Sequence, residues 1–322
     1  MQTVIPGILK AGDEIAVIAI SQGLEILHEN LITKAVQTLE GRGLRVTLPP
    51  GHREKSTRTQ QGIREKVATL HAALASPSVR GILIGLGGVS ALEMLPYIDF
   101  DLVRKNPKPI CGFSDATIIL NAIYAQTGVI TFYGPMLFSF AANTDICYTW
   151  EFFQNVLFST AAFEIRPAIK WGNYDELNGS RKNQGFHVLR AGNATGVLVG
   201  GHVPSFNLLQ GTPYLPSLNN AILFVEICER YRKDSAGKLM QYLNSLLLQK
   251  GADELQGLIV GRFYHQEGVL ENELYEMLLS HPLLQHIPII TNVDIGHTTP
   301  MVTLPIGGRV SISQHTIAVE ER

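Results

Sequence analysis

The sequence predicts an α/β protein built on a parallel β-sheet, followed by a second domain. In the first half of the chain, short apolar runs alternate with amphipathic stretches, which is typical of βαβ units. The apolar runs are nearly continuous in Ile, Val and Leu, as expected for strands that are buried on both faces. This rhythm stops between about Asn143 and Asn193 and then resumes. We therefore expect two domains that join within residues 150–190.

Apolar periodicity places the elements of the first half in order. The helix candidate at 63–74, for example, carries Ile63, Val67, Leu70 and Leu74 on one face. The candidates are a strand at Ile15–Ile20, a helix at Leu31–Leu39 that stops at Gly41 and Gly43, a strand at Leu44–Leu48 closed by Pro49-Pro50, the helix at Ile63–Leu74, strands at Val79–Gly85 and Ile110–Phe113, a helix at Asp115–Gln126, and a strand in the run VITFYGPM after Gly128.

The second half begins less regularly. A helix is predicted at Tyr148–Phe158, and the polar stretch Lys170–Gly185 (KWGNYDELNGSRKNQG) is predicted to be a connecting loop. Strands then return, together with the amphipathic helix Lys238–Leu248. The later strand candidates are Gly196–Gly200, Ile222–Glu226, Leu258–Val260, Ile289-Ile290 and Arg309–Ile312.

Composition excludes several classes of protein. The chain has 322 residues, 45% hydrophobic and 17% charged, which is too apolar for a disordered protein. Its 26 Lys and Arg residues against 28 Asp and Glu residues give a net charge of −2, which argues against nucleic-acid binding. There is no polybasic segment, and no run reaches the roughly 20 apolar residues that would span a membrane. We expect a soluble, cytoplasmic protein.

The three cysteines predict neither a disulfide framework nor a zinc site. Cys111, Cys147 and Cys228 lie far apart, and none belongs to a CxxC motif. The histidines are also scattered, without HxxxH or HExxH spacing, so a histidine-based zinc site is weakly supported.

Ser114 follows a strand that ends at a glycine and precedes a helix, in the run CGFSDAT. A sharp turn of this kind exposes a serine hydroxyl, and the helix N-terminus offers backbone N–H groups to an oxyanion. The match to G-x-S-x-G is partial because Ala116 replaces the last glycine. Ser114 is therefore either a nucleophile or simply the cap of the helix, and Asp115 suits the first helical turn.

Gly87 and Gly88 follow another strand, in the run GLGGVS. Paired glycines let the backbone approach a ligand and present N–H groups without a side chain in the way. The pair could form an oxyanion hole or a phosphate loop, but it could also be a tight turn between a strand and a helix.

Glu226 and His297 are two further candidates. Glu226 ends the strand ILFVE, at the carboxyl end where catalytic groups gather in α/β sheets, and it could orient a histidine or pair with an arginine. His297 lies in the loop NVDIGHTTP beside a glycine and before two hydroxyl residues. It could be a general base or an ordinary exposed histidine. His202, after Gly200-Gly201 at a strand end, could line a site.

Two other functions stay open at this point. The chain could be a small-molecule binding protein that lacks catalysis, because a fold alone does not prove function. It could also be a metallohydrolase that uses His202, Asp294 and His297, which full activity in excess chelator would exclude.

Taken together, these segments resemble the LD-carboxypeptidase family of serine peptidases, including its branch of microcin C self-immunity peptidases. The likeness runs through nearly the whole chain in order. It is carried by GDEIAVIA, MLPYIDFDLVRKNPKPICGFSDAT, IYAQTGVITFYGPM, ATGVLVGG, LLQGTPYLP, ILFVE and GHTTPMVTLPIGG.

The resemblance implies a catalytic triad of Ser114 as nucleophile, His297 as base and Glu226 as the carboxylate that orients it. It implies oxyanion donors at the N–H of Asp115 and at the Gly87-Gly88 turn. The implied fold is a flavodoxin-like N-terminal domain (1–160), a linker (161–190) and a smaller β-rich C-terminal domain (191–322). No metal or organic cofactor is required, and family members are commonly homodimers.

Three residues depart from the family pattern and concern the substrate. Leu86 stands where the carboxypeptidase branch usually has an arginine, His202 where the family usually has an asparagine, and Ile227 where an aspartate usually follows the glutamate. None of these departures removes the triad, but the changes at His202 and Ile227 alter the expected lining of the pocket.

Two substrate classes follow from the resemblance. The runs FYGPM and GHTTPMVTLPIGG look more like the microcin-immunity branch, which cleaves an amino acid or peptide from a nucleotide phosphate. An aromatic residue of the interdomain loop stacks on the base in that branch, and Trp171 or Tyr174 could do so here, contributing about 1–3 kcal/mol. The alternative is release of the terminal D-alanine from a murein tetrapeptide in cell-wall recycling.

Overall fold

The computed structural model describes residues 2–50, 52, 56–176, 178–228, 235–264 and 268–322, with the side chains of 268–271 excepted. Its strands are β1 (Glu14–Ile18), β2 (Arg45–Thr47), β3 (Val79–Ile84), β4 (Ile110–Gly112), β5 (Thr131–Tyr133), β6 (Phe163–Ile165), β7 (Lys170–Asn173), β8 (Arg181–Lys182), β9 (His187–Arg190), β10 (Asn193–His202), β11 (Ala221–Glu226), β12 (Gly257–Gly261), β13 (Ile289–Val293), β14 (Thr298–Thr299), β15 (Leu304–Ile306), β16 (Arg309–Ser313) and β17 (Thr316–Glu321).

The helices lie between these strands. They are α1 (Glu29–Glu40), α2 (Gln60–Ala75), α3 (Phe100–Lys105), α4 (Ala116–Thr127), α5 (Ile146–Leu157), α6 (Val203–Asn207), α7 (Ser235–Leu247) and α8 (Gly268–Ser280). Among the helices of the described ranges, none is long and apolar enough to cross a membrane.

The first sheet has the strand order β2-β1-β3-β4-β5-β15. Its first five strands are parallel, and β15 adds antiparallel to β5. The order β2-β1-β3-β4-β5 is that of flavodoxin-like folds, so the predicted fold class is confirmed. The strand order changes direction between β1 and β3, because β2 lies on one side of β1 and β3 on the other. In α/β sheets, ligands bind outside the carboxyl ends of the strands at such a point.

The second sheet makes the C-terminal half β-rich, as predicted. Its order is β6-β17-β16-β10-β11-β12-β13-β9. The four strands from β10 to β13 are parallel, and the outer strands pair antiparallel. The carboxyl ends of β10 and β11 carry His202 and Glu226 side by side, because these two residues are partners in the register.

The prediction of a loop at Lys170–Gly185 was wrong in part. The segment contains β7, which pairs with both β8 and β14. The predicted linker also supplies β6 and β9, the two edge strands of the second sheet. These strands are only two to four residues long and half-buried or exposed at most positions, so they carry no apolar alternation. The proposed division at residues 160 and 190 stays a prediction.

Helix α4 brings the two sheets together. Asn121 Nδ2 donates a hydrogen bond of 2.8 Å to the carbonyl oxygen of Gly200 in β10. The backbone N–H of His202 donates to Thr117 Oγ1 at 3.0 Å. Since α4 begins two residues after Ser114, these contacts hold the serine opposite the carboxyl ends of β10 and β11.

Candidate active site

Ser114 occupies a sharp turn between β4 and α4. Its φ of 60° lies in the left-handed region, which is uncommon for residues other than glycine. The preceding Gly112 cannot be replaced by a larger residue without conflict, because an added Cβ would lie 2.6 Å from Ile84 Cγ1. This conformation is the one in which a serine after a strand presents its hydroxyl above a sheet.

His297 links Ser114 to Glu226 across the two sheets. Its Nε2 lies 3.0 Å from Ser114 Oγ, and its Nδ1 lies 2.9 Å from Glu226 Oε2. An ionised carboxylate only accepts hydrogen bonds, so Nδ1 carries the proton and Nε2 of the neutral ring accepts from the serine hydroxyl. The arrangement can remove the proton of Ser114 and stabilise the resulting imidazolium.

Glu226 is almost fully buried, and it is held ionised. Burial raises its pKa, but the neighbouring His297 and His202 and the hydrogen bonds from His297 and Tyr133 outweigh this effect and hold the pKa at about 2. Tyr133 OH donates to Glu226 Oε1 at 2.6 Å, and burial raises the pKa of this phenol, which stays protonated. The two carboxylate oxygens therefore have different partners.

Gly296 leaves room for the Glu226 carboxylate. Its φ is 91°, and an added Cβ would lie 2.5 Å from Glu226 Cδ. The glycine beside His297 thus allows close approach between the histidine loop and the end of β11.

The Gly87-Gly88 turn faces the serine. A Cβ on Gly87 would lie 3.0 Å from Ser114 Oγ and 3.7 Å from the backbone nitrogen of Asp115. Gly88 has a φ of 150°, and its carbon lies against Ser21, where an added Cβ would meet Oγ at 2.2 Å. The turn and the first amide of the α4 region therefore border the same space beside the hydroxyl.

Two buried side chains anchor this turn. Asp115 Oδ2 accepts from the N–H groups of Ser90 and Ala91, each at 2.9 Å. Ser21 Oγ accepts from the N–H groups of Val89 and Ser90, each at 2.8 Å. Sequence reasoning considered the backbone N–H of Asp115 and its charge in the first helical turn, but not this contact of its side chain, and it missed both Ser21 and Tyr133. The position of Tyr133 at the end of β5, beside β4, was the available signal.

A pocket of about 120 Å³ opens beside Ser114 and is called the Ser114 pocket below. Ser114, His297 and the two glycines form one wall, and Gln22 and Tyr174 contribute polar groups. The rest of the lining is apolar. It consists of Ile26, Leu27, Leu86, Phe113, Met136 and Phe138.

The two aromatic candidates of the interdomain segment differ in position. The structure does not bring Trp171 to the Ser114 pocket: its side chain is buried, and the guanidinium groups of Arg181 and Arg262 lie over its ring at 5.0 and 5.1 Å. The side chain is thus already packed against cations. Tyr174 does line the pocket, with its ring centroid 5.5 Å from that of His297.

His202 lies next to the His297–Glu226 pair. Its ring centroid is 5.1 Å from that of His297, and its Nδ1 lies 2.9 Å from Ser205 Oγ. Its Nε2 is buried and has no hydrogen-bond partner among the residues that the structure describes. Burial lowers the pKa of His202 to about 4, although Glu226 acts in the opposite direction. Ile227, in contrast, is buried in the core.

The metal set considered from the sequence is not assembled. Asp294 is fully buried, and its carboxylate accepts from Arg262 Nη1 at 2.6 Å and from the N–H of Ala168 at 2.9 Å. Within the described part of the chain, the group with suitable ligand atoms is His202, Glu226 and His297, all within 4.8 Å. The Glu226–His297 hydrogen bond already uses one ligand atom from each of two of these residues.

A serine, a histidine and a carboxylate in one hydrogen-bonded chain, at the carboxyl ends of parallel strands, define the class of serine hydrolases. The chain belongs to the LD-carboxypeptidase family of peptidases: the family's N-terminal domain profile matches residues 15–134 and its C-terminal domain profile matches residues 195–312.

Relatives agree over nearly the full chain. A Treponema pallidum protein named as a carboxypeptidase is 35% identical over 319 residues, which are 97% of this chain and 94% of that protein. The crystal structure of an MccF-like protein from Bacillus anthracis has a TM-score of 0.94 and 36% identity, covering 99% of this chain and all of that one. The microcin C7 self-immunity protein MccF in complex with aspartyl sulfamoyl adenosine has a TM-score of 0.86 and 26% identity, covering 99% of each chain.

Proposed function

We propose that this chain is a serine peptidase whose catalytic triad is Ser114, His297 and Glu226. The observation that carries the proposal is the continuous hydrogen-bonded chain from Ser114 Oγ through both ring nitrogens of His297 to Glu226 Oε2, at 3.0 and 2.9 Å. The low pKa of Glu226, about 2, keeps the carboxylate ready to stabilise a protonated imidazole.

The reaction that fits this geometry is hydrolysis of an amide-type bond. Ser114 Oγ forms a bond to the carbonyl carbon while its proton passes to His297 Nε2. The N–H of Asp115 and an N–H of the Gly87-Gly88 turn stabilise the oxyanion, and losing one such donor typically costs about 2.7–4 kcal/mol. The C–N bond then breaks as His297 protonates the leaving nitrogen, and water releases the acyl group by the reverse proton path.

We propose an aminoacyl- or peptidyl-nucleotide conjugate as the substrate. The complex of MccF with aspartyl sulfamoyl adenosine supports this class, since that ligand joins an acyl group to a nucleoside through an amide-type bond. Tyr174 is the aromatic residue placed to contact such a ligand, because it lines the Ser114 pocket. His202 is a second candidate contact, because its ring centroid lies 5.1 Å from that of His297.

A second candidate is an LD-carboxypeptidase that releases the terminal D-alanine from a murein tetrapeptide. The family description favours it, because both matching domain profiles carry the name LD-carboxypeptidase. Leu86 counts against it, since the arginine usual in that branch is absent from this wall of the pocket.

We further propose that the enzyme acts in the cytoplasm as a homodimer and needs neither a metal nor an organic cofactor. The resemblance to the family supports the dimer, and the triad supplies the acid–base chemistry that a metal would otherwise provide. Sedimentation analysis tests the dimer, and assays with excess chelator test the metal requirement.

The test compares wild type with Ser114→Ala on two substrates, with mass spectrometry of the products. One substrate is a murein tetrapeptide ending in D-alanine, and the other is an aminoacyl-sulfamoyl adenosine. We expect wild type to release the amino acid from the second, and Ser114→Ala to lose at least about 10⁴-fold in kcat. The exposed Ser78 provides the control variant Ser78→Ala, which should retain wild-type activity.

The outcomes separate the candidates. Release of D-alanine alone supports the carboxypeptidase. Turnover by Ser114→Ala at the wild-type rate excludes Ser114 as the nucleophile.

A further inference from the structure

The Ser114 pocket combines apolar side chains with a few uncharged polar groups, beside the proposed nucleophile. Six apolar side chains line it, and none of the described lining residues is Asp, Glu, Lys or Arg. Leu86 is one of these side chains and is 94% buried, with an exposed fraction of only 6%. The pocket thus offers favourable burial to hydrocarbon, whereas its described lining residues offer no Lys or Arg side chain to a carboxylate.

Because Ser114 and His297 line the pocket, the part of the substrate that enters it must lie close to the carbonyl carbon that Ser114 attacks. In an aminoacyl-nucleotide conjugate, the amino-acid side chain is close to the carbonyl carbon, whereas the base is separated from it by the phosphate and the ribose. A small pocket that borders the nucleophile therefore receives a group near the carbonyl. The leaving nitrogen bears a phosphate-like group, which an apolar wall disfavours. The acyl side chain is the group that fits.

The size of the pocket sets the size of this side chain. An apolar cavity of about 150 Å³ can hold benzene. The Ser114 pocket, at about 120 Å³, suits a branched aliphatic chain such as leucine better than an indole.

We infer that the enzyme selects conjugates whose acyl group is an apolar amino acid of about leucine size. The inference rests on the proposed function, and it adds the class of acyl group that the site accepts. It differs from the ligand of the MccF complex named above, which carries an aspartyl group.

The experiment compares leucyl-sulfamoyl adenosine with aspartyl-sulfamoyl adenosine on the wild-type chain. Leucine and aspartate side chains have nearly the same shape, so the comparison isolates polarity from size. We expect kcat/KM for the leucyl compound to exceed that for the aspartyl compound by at least about tenfold.

A charge at the mouth of the pocket should reduce this preference. Ile26 lines the pocket but is 56% exposed, so Ile26→Arg should fold. It should lower the leucyl-to-aspartyl ratio about threefold, because an exposed guanidinium attracts the aspartyl carboxylate weakly. Ile5, at 44% exposed and outside the pocket lining, provides the matched control Ile5→Arg, which should leave the ratio unchanged.

Failure of the inference differs from failure of the proposed function. If both compounds are cleaved at similar rates, or the aspartyl compound faster, the apolar preference is refuted while the peptidase assignment stands. If neither compound is cleaved by folded enzyme, the proposed substrate class and the inference both fall. Equal effects of Ile26→Arg and Ile5→Arg would refute the role of the pocket.

Discussion

Replacing Gly296 by alanine should disable the enzyme without touching a reacting atom. Gly296 has a φ of 91°, and its Cα faces the end of β11. A Cβ there would lie 2.5 Å from Glu226 Cδ, Cγ and Oε2. Carbon atoms in van der Waals contact lie about 3.5–4.0 Å apart, so the carboxylate or the histidine loop must move by about 1 Å.

That shift is enough to break the hydrogen bond between His297 and Glu226. The bond is 2.9 Å long, and N–H···O bonds weaken beyond about 3.2 Å. A displacement of about 1 Å at a catalytic group typically costs about 10²-fold in rate. We expect kcat of Gly296→Ala to fall about 100-fold on the aminoacyl-sulfamoyl adenosine, with little change in KM.

Gly12→Ala is the matched control. Gly12 has a φ of 88°, nearly that of Gly296, but an added Cβ there meets nothing within 4 Å. Both variants should lose about 1–2 kcal/mol of unfolding free energy from left-handed strain, measured by urea denaturation. Only Gly296→Ala should lose kcat. A folded Gly296→Ala enzyme with kcat within threefold of wild type would refute the dependence on the Glu226 position.

Two further predictions concern the same carboxylate and its neighbour. In Glu226→Gln, the amide oxygen should accept from the Tyr133 hydroxyl, and the amide NH₂ should donate to His297 Nδ1. The ring proton then lies on Nε2, which can no longer accept the proton of Ser114. We expect kcat to fall about 10⁴-fold, and a loss under tenfold would contradict this reasoning. The His202 pKa of about 4 lies below that of the unfolded chain, so its contribution to stability is complete above pH 6.5 and is lost as pH falls towards 4. His202→Asn should therefore reduce the drop in unfolding free energy between pH 7 and 5 by about 2 kcal/mol, and an unchanged drop in urea titrations would refute the shifted pKa.

The sequence predicted the parallel strands of both sheets because short, nearly continuous apolar runs bounded by turn residues are typical of strands buried on both faces. It also placed Ser114, Glu226 and His297 after strands, although each residue alone had an ordinary structural explanation. The register of β10 with β11 puts His202 beside Glu226, 24 positions later in the chain, and follows from strand pairing. Periodicity within one segment carries no information about such a pairing.

Other contacts near the site could not be predicted either, because they also join segments that are distant in the sequence. The ion pair of Arg262 with Asp294 is completely buried, and each residue directly follows a buried strand, β12 or β13, but neither segment alone shows that the two charges meet. Trp171 looked available as a stacking residue because it sits in a polar stretch. Its burial depends on Arg262, which is 91 positions later in the chain and reaches it through the fold.

The site is divided between the two sheets, and this division makes its geometry depend on their packing. Ser114 comes from the first sheet, whereas Glu226 and His297 come from the second. Tyr133, at the end of β5 in the first sheet, donates a hydrogen bond to Glu226 Oε1 in the second sheet. The serine–histidine distance therefore depends on the contacts of α4 with β10 as well as on the local turns at Ser114 and Gly296. In the proposed peptidase, the nucleophile is strained and half-buried beside one sheet and the base lies on the other, so that the hydroxyl is activated only when the two sheets are correctly docked.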